Sequence, residues 1–489
     1  MKQHQLKKGS MGLLCAVMLF FMSCVEGYKD DITWASSVKN ATLESPAADK
    51  ITVKFSADGT EQTIEWPLVP GAGGYLVTVY NMDDPDNPVV IGEENQVVDG
   101  VSVKRPSTDD TRYKLVIKTL GNGKNNNKEA LTATEKSYNN MLPVTAVIPA
   151  GTNLTDYFTA NPIPASDTEL CYELVSGGNY TMTGNVSTGS TRVTIRGDKV
   201  DHPVVTMTDG SFVVGAAGFV LKFIDIDYSG FIGTSGNSII LMDANFPASG
   251  LTEAGYAMIP TTQPIAIQSC KITGLQYYLF YDNNKKYAIG TFLIKDCIVG
   301  ANTGTFGNAL VRFQAGMVKD WTVTNSTFYN EQAPSNSSNR FCQISSGNVT
   351  SVKATTEQWL SGSMSITNCT FWQAGKTAQS FNSNGAMGNS SDKVTVQKCI
   401  FVDCYEVGRI ISRFRRGNTS AIFTGGENSQ WYDGKLFSEA NTGSQDITAD
   451  VNYLTTDPKL TYLGNGQFKM EGAEQISKRT GDPRWLSAQ

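Results

Sequence analysis

The sequence predicts an all-β protein with two parts, a small N-terminal β-sandwich followed by a parallel β-helix. Three observations lead to the β-helix. A short apolar phrase recurs five times in the second half of the chain. The copies are regularly spaced, and a further apolar run lies between successive copies.

The recurring phrase has the form apolar-x-apolar-x-(Asn/Asp/Ser/Lys)-Cys-x-apolar. In one copy, Met364 and Ile366 alternate like strand residues with one buried face, whereas Cys369 and Phe371 alternate on the opposite parity. Asn368 absorbs the shift, since asparagine can adopt the left-handed conformation that bends a chain between two strands. Each copy therefore predicts a strand, a one-residue corner and a second strand. The copies occupy 265–272, 292–299, 321–328, 364–371 and 394–401.

The spacing of the copies predicts that they stack. With Ile226 of an earlier relative, LKFIDIDY (221–228), as the first member, the steps are 44, 27, 29, 43 and 30 residues to Cys270, Cys297, Ser326, Cys369 and Cys399. Such a period, with insertions in two turns, is typical of a solenoid. Third apolar runs lie at 238–242, 278–282, 310–314, 341–345, 379–383 and 409–413. Three strands per turn predict a parallel β-helix from about 165 to 430, with the six residues in one interior column.

These residues resemble the right-handed parallel β-helix of pectate lyases and pectin esterases. The segments LVSGGNYTM (174–182) and RVTIRGDKVDHPVV (192–205) resemble the first turns of that family. The ending GDPRW (481–485) resembles that of β-helix surface lipoproteins of glycan-foraging Gram-negative bacteria. The resemblance covers roughly 147–489 and implies a pectate-lyase-like fold, without fixing an activity.

Residues 1–23 are predicted to be an export signal, because three lysines precede the apolar run GLLCAVMLFFM. The run ends in FMSC, which resembles a bacterial lipobox and implies lipidation of Cys24; the alternative is an ordinary cleaved signal with a chance cysteine. In the tether 24–40, the Lys-Asp-Asp run at 29–31 resembles a surface-export signal. We therefore expect a lipid-anchored outer-membrane protein exposed on the cell surface.

Residues 41–140 are predicted to form the sandwich. Runs at 51–55, 63–66, 75–80 and 113–119 alternate apolar and polar residues between Gly-, Pro-, Asn- and Asp-rich segments. Trp66 and Tyr113 resemble the fibronectin type III pattern. No cysteine lies between Cys24 and Cys171, which excludes the disulfide-bearing immunoglobulin version. A spacer role is favoured over a docking role.

Charge and cysteine content exclude some functions. The formal charge is −6, and removal of the three lysines of 1–23 takes it to −9, which argues against nucleic acid as a partner. Seven cysteines follow Cys24, and four of them occupy the same position of the repeat. An interior stack of free thiols is therefore favoured over a disulfide framework or a metal site.

Both ends of the β-helix need covering. The segment 152–160 is predicted to be a short amphipathic helix capped by Asn153, which covers one end. The tail 446–489 is predicted to cover the other.

The third strand column carries the candidate glycan-binding residues, because arginine on an exposed strand face suits a carboxylate and tyrosine suits the face of a sugar ring. This column predicts an acidic polysaccharide partner such as polygalacturonate. The alternative is that its arginines pair with acids of neighbouring turns, such as Asp403 or Glu406. The candidates are Tyr278, Tyr281, Arg312, Gln343, Arg409 and Arg413.

Two functions of different class remain. The first is a surface lipoprotein that binds acidic, pectin-like polysaccharide for uptake by an outer-membrane glycan transporter, without a cofactor. The second is a polysaccharide lyase, which would need an arginine base, Arg413 or Arg409, and acids that hold Ca²⁺. The segment ISRFRRGN (411–418) resembles an arginine-rich lyase motif but lacks its proline. The mature chain has one histidine, His202, in an early loop, and the residues favour binding.

Overall fold

We analysed a computed structural model of the chain, which describes residues 38–56, 59–234, 236–303, 309–332, 340–344, 358–374, 381–382, 390–404, 422–436 and 452–486. The chain divides into two compact units, 1–142 and 143–489. Among the described residues, no helix combines the length and the apolar character needed to cross a bilayer.

The first unit contains two antiparallel sheets around a shared core. One sheet pairs Thr52–Phe55, Glu61–Glu65 and Ser102–Pro106. The other contains Tyr75–Asn81, Val89–Val90, Gln96–Val98, Arg112–Thr119 and Thr134–Asn139. Short 3-10 helices span Ala48–Lys50 and Gly123–Asn125. The predicted β-sandwich is confirmed.

Two aromatic residues singled out in the sequence are central to this core. Trp66 is buried, and its ring packs edge-on against Tyr75 at 5.4 Å between ring centroids. The Tyr113 hydroxyl donates to the carbonyl of Thr108 at 3.0 Å and accepts from the Thr108 amide at 3.0 Å. This tyrosine corner is a feature of immunoglobulin-like sandwiches and agrees with the fibronectin type III-like interpretation.

The second unit is a parallel β-helix of three sheets, here named A, B and C in the order in which each repeat enters them. Sheet A contains Ala146–Ile148, Leu170–Leu174, Val193–Arg196, Phe219–Lys222, Ala257–Ile259, Ile265–Gln268, Tyr287–Lys295, Met317–Thr324, Ser363–Thr367, Lys393–Gln397 and Ile422–Gly426. Sheet B contains Asn179–Thr183, Val204–Asp209, Asp225–Asp227, Lys271–Leu275, Ile298–Ala301, Thr327–Asn330, Thr370–Trp372, Ile400–Val402, Ser429–Tyr432 and Lys435–Leu436. Sheet C contains Val186–Gly189, Phe212–Val214, Ser238–Met242, Tyr278–Tyr281, Val311–Phe313, Cys342–Ile344 and Phe381–Asn382. The predicted fold class is confirmed.

A single residue in the left-handed conformation joins sheet A to sheet B, as predicted. These corner residues have φ between 49° and 59°, and they are Phe223, Ser269, Asp296, Asn325, Asn368, Lys398 and Glu427. Each turn supports the next, because corner amides donate to carbonyls of the following turn, as from Asn368 to Gln397 at 3.1 Å. This ladder offsets the cost of the left-handed conformation, so residues other than asparagine are accepted.

The residues after the corners form one buried interior column, with one correction. The column contains Ile224, Cys270, Cys297, Ser326, Cys369, Cys399 and Asn428. Ile226 is not its first member, since it pairs with Ile272, which lies two residues after Cys270. The reason is that Phe223, an unusual residue for positive φ, forms the corner in this turn.

The column cysteines are free and buried, as predicted. They also form hydrogen bonds. The thiol of Cys369 donates to the carbonyl of Thr367 at 3.2 Å, on the other side of the corner residue. Ser326 uses its hydroxyl in the same way, to Thr324 at 2.7 Å. Burial raises the pKa of the Cys297 thiol to about 12, so it is protonated at neutral pH.

The predicted N-terminal helix is confirmed as Leu154–Ala160. The side chain of Asn153 accepts from the Thr155 amide at 2.9 Å, which caps the helix. Phe158 is buried and packs edge-on against Tyr172 at 5.0 Å between ring centroids. The helix therefore closes the interior core at the first turns.

The described tail, 452–486, contacts the last described turn, since Leu454 is buried and its amide donates to the carbonyl of Asn428 at 2.8 Å, but most of it lies elsewhere than predicted. It forms a hairpin, Leu460–Gly464 with Gln467–Met470, then the helix Ala473–Lys478 and the 3-10 helix Pro483–Trp485. Phe468 packs on Ile298 and Tyr329, and Met470 packs on Ile400 and Val402. The tail therefore covers the outer face of sheet B, where apolar residues occupy positions that normally face solvent.

The GDPRW segment fastens this tail to the β-helix. The carboxylate of Asp482 is fully buried and accepts from the Thr327 hydroxyl at 2.7 Å. Arg484 donates to the carbonyls of Asp296 at 2.8 Å, Cys297 at 2.7 Å and Asn325 at 2.9 Å, and it pairs with Asp482. One segment thus ties neighbouring turns together.

Candidate functional site

Three of the predicted glycan-binding residues form a ladder on the outer face of sheet C. Tyr281 pairs in register with Arg312, and Arg312 with Gln343, so each turn contributes one side chain. All three are partly exposed, whereas the residues on either side of them in the strands are buried. We name Tyr281, Arg312 and Gln343 the C-face ladder.

Interior packing fixes the strands that carry the ladder. Phe280 packs at a tilt against Phe313 of the next turn at 4.8 Å between ring centroids, and it packs edge-on against Phe292 of sheet A at 4.9 Å. Fully buried rings next to the ladder hold its backbone in register. Sites on such rigid elements keep their geometry better than sites on loops.

Arg312 lies against two aromatic rings. Its guanidinium carbon is 5.2 Å from the ring centroid of Tyr281 and 5.7 Å from that of Tyr278. One guanidinium nitrogen donates to the Tyr278 hydroxyl at 2.8 Å. The rings therefore hold the cation in place by cation–π contact and by one hydrogen bond.

Tyr278 is a correction to the predicted set. Its side chain is only 3% exposed, because Tyr281 packs on it at 4.9 Å between ring centroids and Arg312 lies over it. No ring face is left on which a sugar could stack. Tyr278 positions Arg312 instead of contacting a ligand, a role that depends on side-chain packing and is not visible in the strand pattern.

Tyr281 offers a neutral phenol. Burial raises its pKa, and the nearby charge of Arg312 acts in the opposite direction. Its hydroxyl donates to the Gln314 side-chain oxygen at 2.7 Å. Gln314 therefore orients the tyrosine ring from the neighbouring turn.

Sequence reasoning missed Asp282, which follows Tyr281 and holds the backbone of the neighbouring turn. Its carboxylate is fully buried and accepts from the amides of Ala315 at 2.8 Å, Gly316 at 2.6 Å and Asn284 at 3.0 Å. Burial raises the pKa of Asp282, while these amide donors oppose the shift. The only sequence signal is the Asp-Asn-Asn turn after the strand.

The structure does not test most of the other residues named from the sequence. Arg409, Arg413 and Cys24 lie outside the described residues, as does the arginine-rich segment 411–418. His202 is on the sheet B side, where its Nδ1 lies 2.8 Å from a carboxylate oxygen of Asp225.

The residues present at the ladder do not fit Ca²⁺. Within the described ranges, no three acidic, histidine or cysteine side chains lie close enough together to hold a metal ion. The carboxylate of Asp282 lies next to the ladder, and it already accepts hydrogen bonds from the backbone amides of Ala315 and Gly316. We assign no step to calcium.

Comparison with family models gives three matches along the chain. A domain of unknown function matches residues 1–177, the domain of unknown function DUF4957 matches 178–331, and the domain of unknown function DUF5123 matches 364–485. Each covers less than half of the chain. No curated protein matches the sequence.

Comparison with solved structures also gives matches. The Fn3-like protein from Clostridium thermocellum is 16% identical, with 22% of this chain and 98% of that chain covered and a TM-score of 0.16. Pectate lyase PelI from Erwinia chrysanthemi is 9% identical, with 60% and 88% covered and a TM-score of 0.18. The same enzyme in complex with tetragalacturonic acid is 10% identical, with 79% and 92% covered and a TM-score of 0.18. The fold described above is established by strand register and does not depend on these matches.

Proposed function

We propose that the protein binds a carboxylate-bearing polysaccharide along the outer face of sheet C. The observation that carries this proposal is the C-face ladder, in which Tyr281, Arg312 and Gln343 follow one another on successive turns. A guanidinium group suits a carboxylate through paired hydrogen bonds. A phenol and an amide next to it suit sugar rings and hydroxyls.

The ladder suits a polymer better than a small molecule. Neighbouring strands are about 4.8 Å apart, so a chain that runs along the axis meets a new side chain at every turn. Each exposed contact contributes modestly, ~1 kcal/mol, because solvent screens it. Several such contacts are consistent with affinity of about 1 μM.

We further propose that this binding takes place on the cell surface. The support is the sequence pattern alone: the lipobox-like FMSC ending at Cys24 and the Lys-Asp-Asp run at 29–31. A lipid anchor in the outer membrane would hold the β-helix outside the cell. There it would capture polysaccharide for an outer-membrane glycan transporter.

A polysaccharide lyase is the second candidate, favoured by the arginine-rich segment 411–418. In that case Arg413 or Arg409 would remove the proton beside the uronate carboxylate. The binding proposal assigns these arginines only to carboxylate contacts. The two candidates therefore differ in whether the polymer is cleaved.

One experiment separates the candidates. The protein is mixed with polygalacturonate in the presence and absence of calcium, and absorbance of 4,5-unsaturated uronide is recorded alongside binding by calorimetry. Binding without a rise in absorbance supports the proposed function. Turnover that is lost in Arg413→Ala while binding persists overturns it in favour of the lyase, and absence of both overturns both candidates.

A further inference from the structure

We propose a second saccharide site, on the outer face of sheet B, that takes a neutral, hydroxyl-rich sugar. It deepens the proposed function and rests on it for the class of ligand. The tail covers this face from the turn of Ile298 onwards, while earlier turns are left open. A groove of about 380 Å³ begins where the cover ends. We name it the B-face groove.

The floor of the groove is a grid of four polar side chains from two adjacent turns. Asp225 pairs in register with Lys271, and Asp227 with Thr273. All four are partly exposed, and Ile226 and Ile272, which alternate with them, are buried in the core. The grid is therefore held by the same register that builds the β-helix.

The next turns and the tail supply the walls. A Cβ atom at Gly300 would lie 2.1 Å from the ring of Tyr329, so the absence of a side chain there lets this ring lean over the backbone. Tyr329 and Glu331 line the groove together with Asn465 of the tail hairpin. The Tyr462 hydroxyl donates to Glu331 at 2.6 Å, which fixes the hairpin beside the groove.

The floor has hydrogen-bonding capacity that the protein does not use. Oδ1 of Asp227 accepts from the amide of Ser229 at 3.0 Å and from its hydroxyl at 2.6 Å, and Oδ1 of Asp225 is paired with His202 at 2.8 Å. In the described part of the protein, neither Oδ2 atom has a hydrogen-bond partner and Lys271 Nζ has no acceptor. Acceptors and a donor side by side match sugar hydroxyls, which both donate and accept.

Charge selects against the ligand proposed for sheet C. Asp225, Asp227 and Glu331 outnumber Lys271, so a uronate carboxylate would meet like charge in the groove. A neutral sugar avoids this repulsion. The volume is at the low end of the range for small-molecule sites, roughly 300–1,000 Å³, which suits one or two sugar rings. A polysaccharide with uronate and neutral residues could then contact both faces.

The test uses the full mature chain and neutral trisaccharides of arabinose, galactose, glucose, mannose and xylose as probes, with trigalacturonate as the charged probe. Binding is measured by ligand-observed NMR and calorimetry. The groove is altered by Asp227→Ala with Lys271→Ala, and separately filled by Thr273→Trp. Asp156→Ala, an exposed carboxylate on the capping helix, is the matched control, and circular dichroism checks that each variant is folded.

We expect at least one neutral trisaccharide to bind, with affinity reduced about tenfold or more in both groove variants and unchanged in Asp156→Ala and Arg312→Ala. Failure of every neutral probe to bind overturns the inference. So does binding that persists in both groove variants, or that is lost in Arg312→Ala. If neutral probes bind at the groove but uronates bind nowhere, the proposal for sheet C fails while the neutral-sugar site stands.

Discussion

The guanidinium carbon of Arg312 lies 5.2 Å from the ring centroid of Tyr281, and the two residues occupy directly paired positions on adjacent turns. Tyr278 completes the arrangement, since its buried hydroxyl accepts from Arg312 at 2.8 Å. A cation–π contact at a partly exposed site contributes about 0.5–1 kcal/mol. The arginine is therefore held in place before any ligand arrives.

The first prediction concerns this support. Tyr278→Phe keeps the ring but removes the acceptor for Arg312, so polygalacturonate binding should weaken a few-fold, and unfolding free energy should fall by about 1 kcal/mol. Calorimetry and chemical denaturation measure the two effects. Tyr113→Phe is the control, because it removes a buried hydroxyl from the sandwich and should leave binding intact. Unchanged affinity in Tyr278→Phe would show that the hydroxyl does not position Arg312.

The second prediction concerns the interior column of residues that follow the corners. A serine at position 369 can donate to the Thr367 carbonyl as Ser326 does to Thr324, so Cys369→Ser should cost less than about 1 kcal/mol of unfolding free energy. Cys369→Ala loses that bond and leaves a small cavity, and should cost about 1–3 kcal/mol. Equal losses in the two variants, measured by chemical denaturation, would contradict a hydrogen-bonding role for this position.

The third prediction concerns the tail. Arg484→Ala leaves the buried Asp482 carboxylate without its cation and should destabilise the β-helix by about 3 kcal/mol near neutral pH. Burial raises the pKa of Asp482, and Arg484 opposes this shift. When the folded-state pKa lies above the unfolded-state pKa, burial of the ionised carboxylate destabilises the fold at high pH. This destabilisation is relieved as the pH falls through the folded-state pKa and the carboxylate is protonated.

The loss of unfolding free energy caused by Arg484→Ala should therefore become smaller as the pH is lowered from about pH 7 to about pH 4. Lys478→Ala, which removes an exposed cation from the same tail, is the control and should show little loss at either pH. Denaturation midpoints at the two pH values give the comparison. A loss of unfolding free energy that becomes larger at low pH would show that the effect of the mutation does not come from leaving the Asp482 carboxylate without its cation.

The fourth prediction concerns the anchor. Cys24→Ala should release the protein from the outer membrane into soluble fractions, because the lipid is then absent. Replacement of Lys29, Asp30 and Asp31 by alanine should keep the membrane association but abolish cleavage by protease added to intact cells. If protease cleaves this second variant as readily as the wild type, the tether carries no surface-export signal.

Strand parity made most of the β-helix predictable. The switch of parity at Asn368 identified a one-residue corner, and seven of the described turns have such a corner. The error at Ile226 arose because a phenylalanine, Phe223, forms the corner in that turn. The ladder of backbone hydrogen bonds, which sequence does not display, makes this exception possible.

The site was only partly predictable, because strand position shows which way a residue faces but not what covers it. Tyr281, Arg312 and Gln343 were placed together by the third apolar run. The burial of Tyr278 under Arg312 depends on side-chain packing. The placement of the tail depends on contacts such as Phe468 with Ile298, more than a hundred residues apart in sequence.

The central claim is that Arg312 binds carboxylates of a polysaccharide on the outer face of sheet C. It is tested most directly by calorimetric titration of oligogalacturonate of defined length into the wild type, Arg312→Ala and Lys295→Ala, which removes a cation from sheet A. The account predicts binding that weakens with salt, falls about tenfold or more in Arg312→Ala and is unchanged in Lys295→Ala. Equal affinity in all three proteins, or equal binding of a neutral glucan at this face, would contradict it.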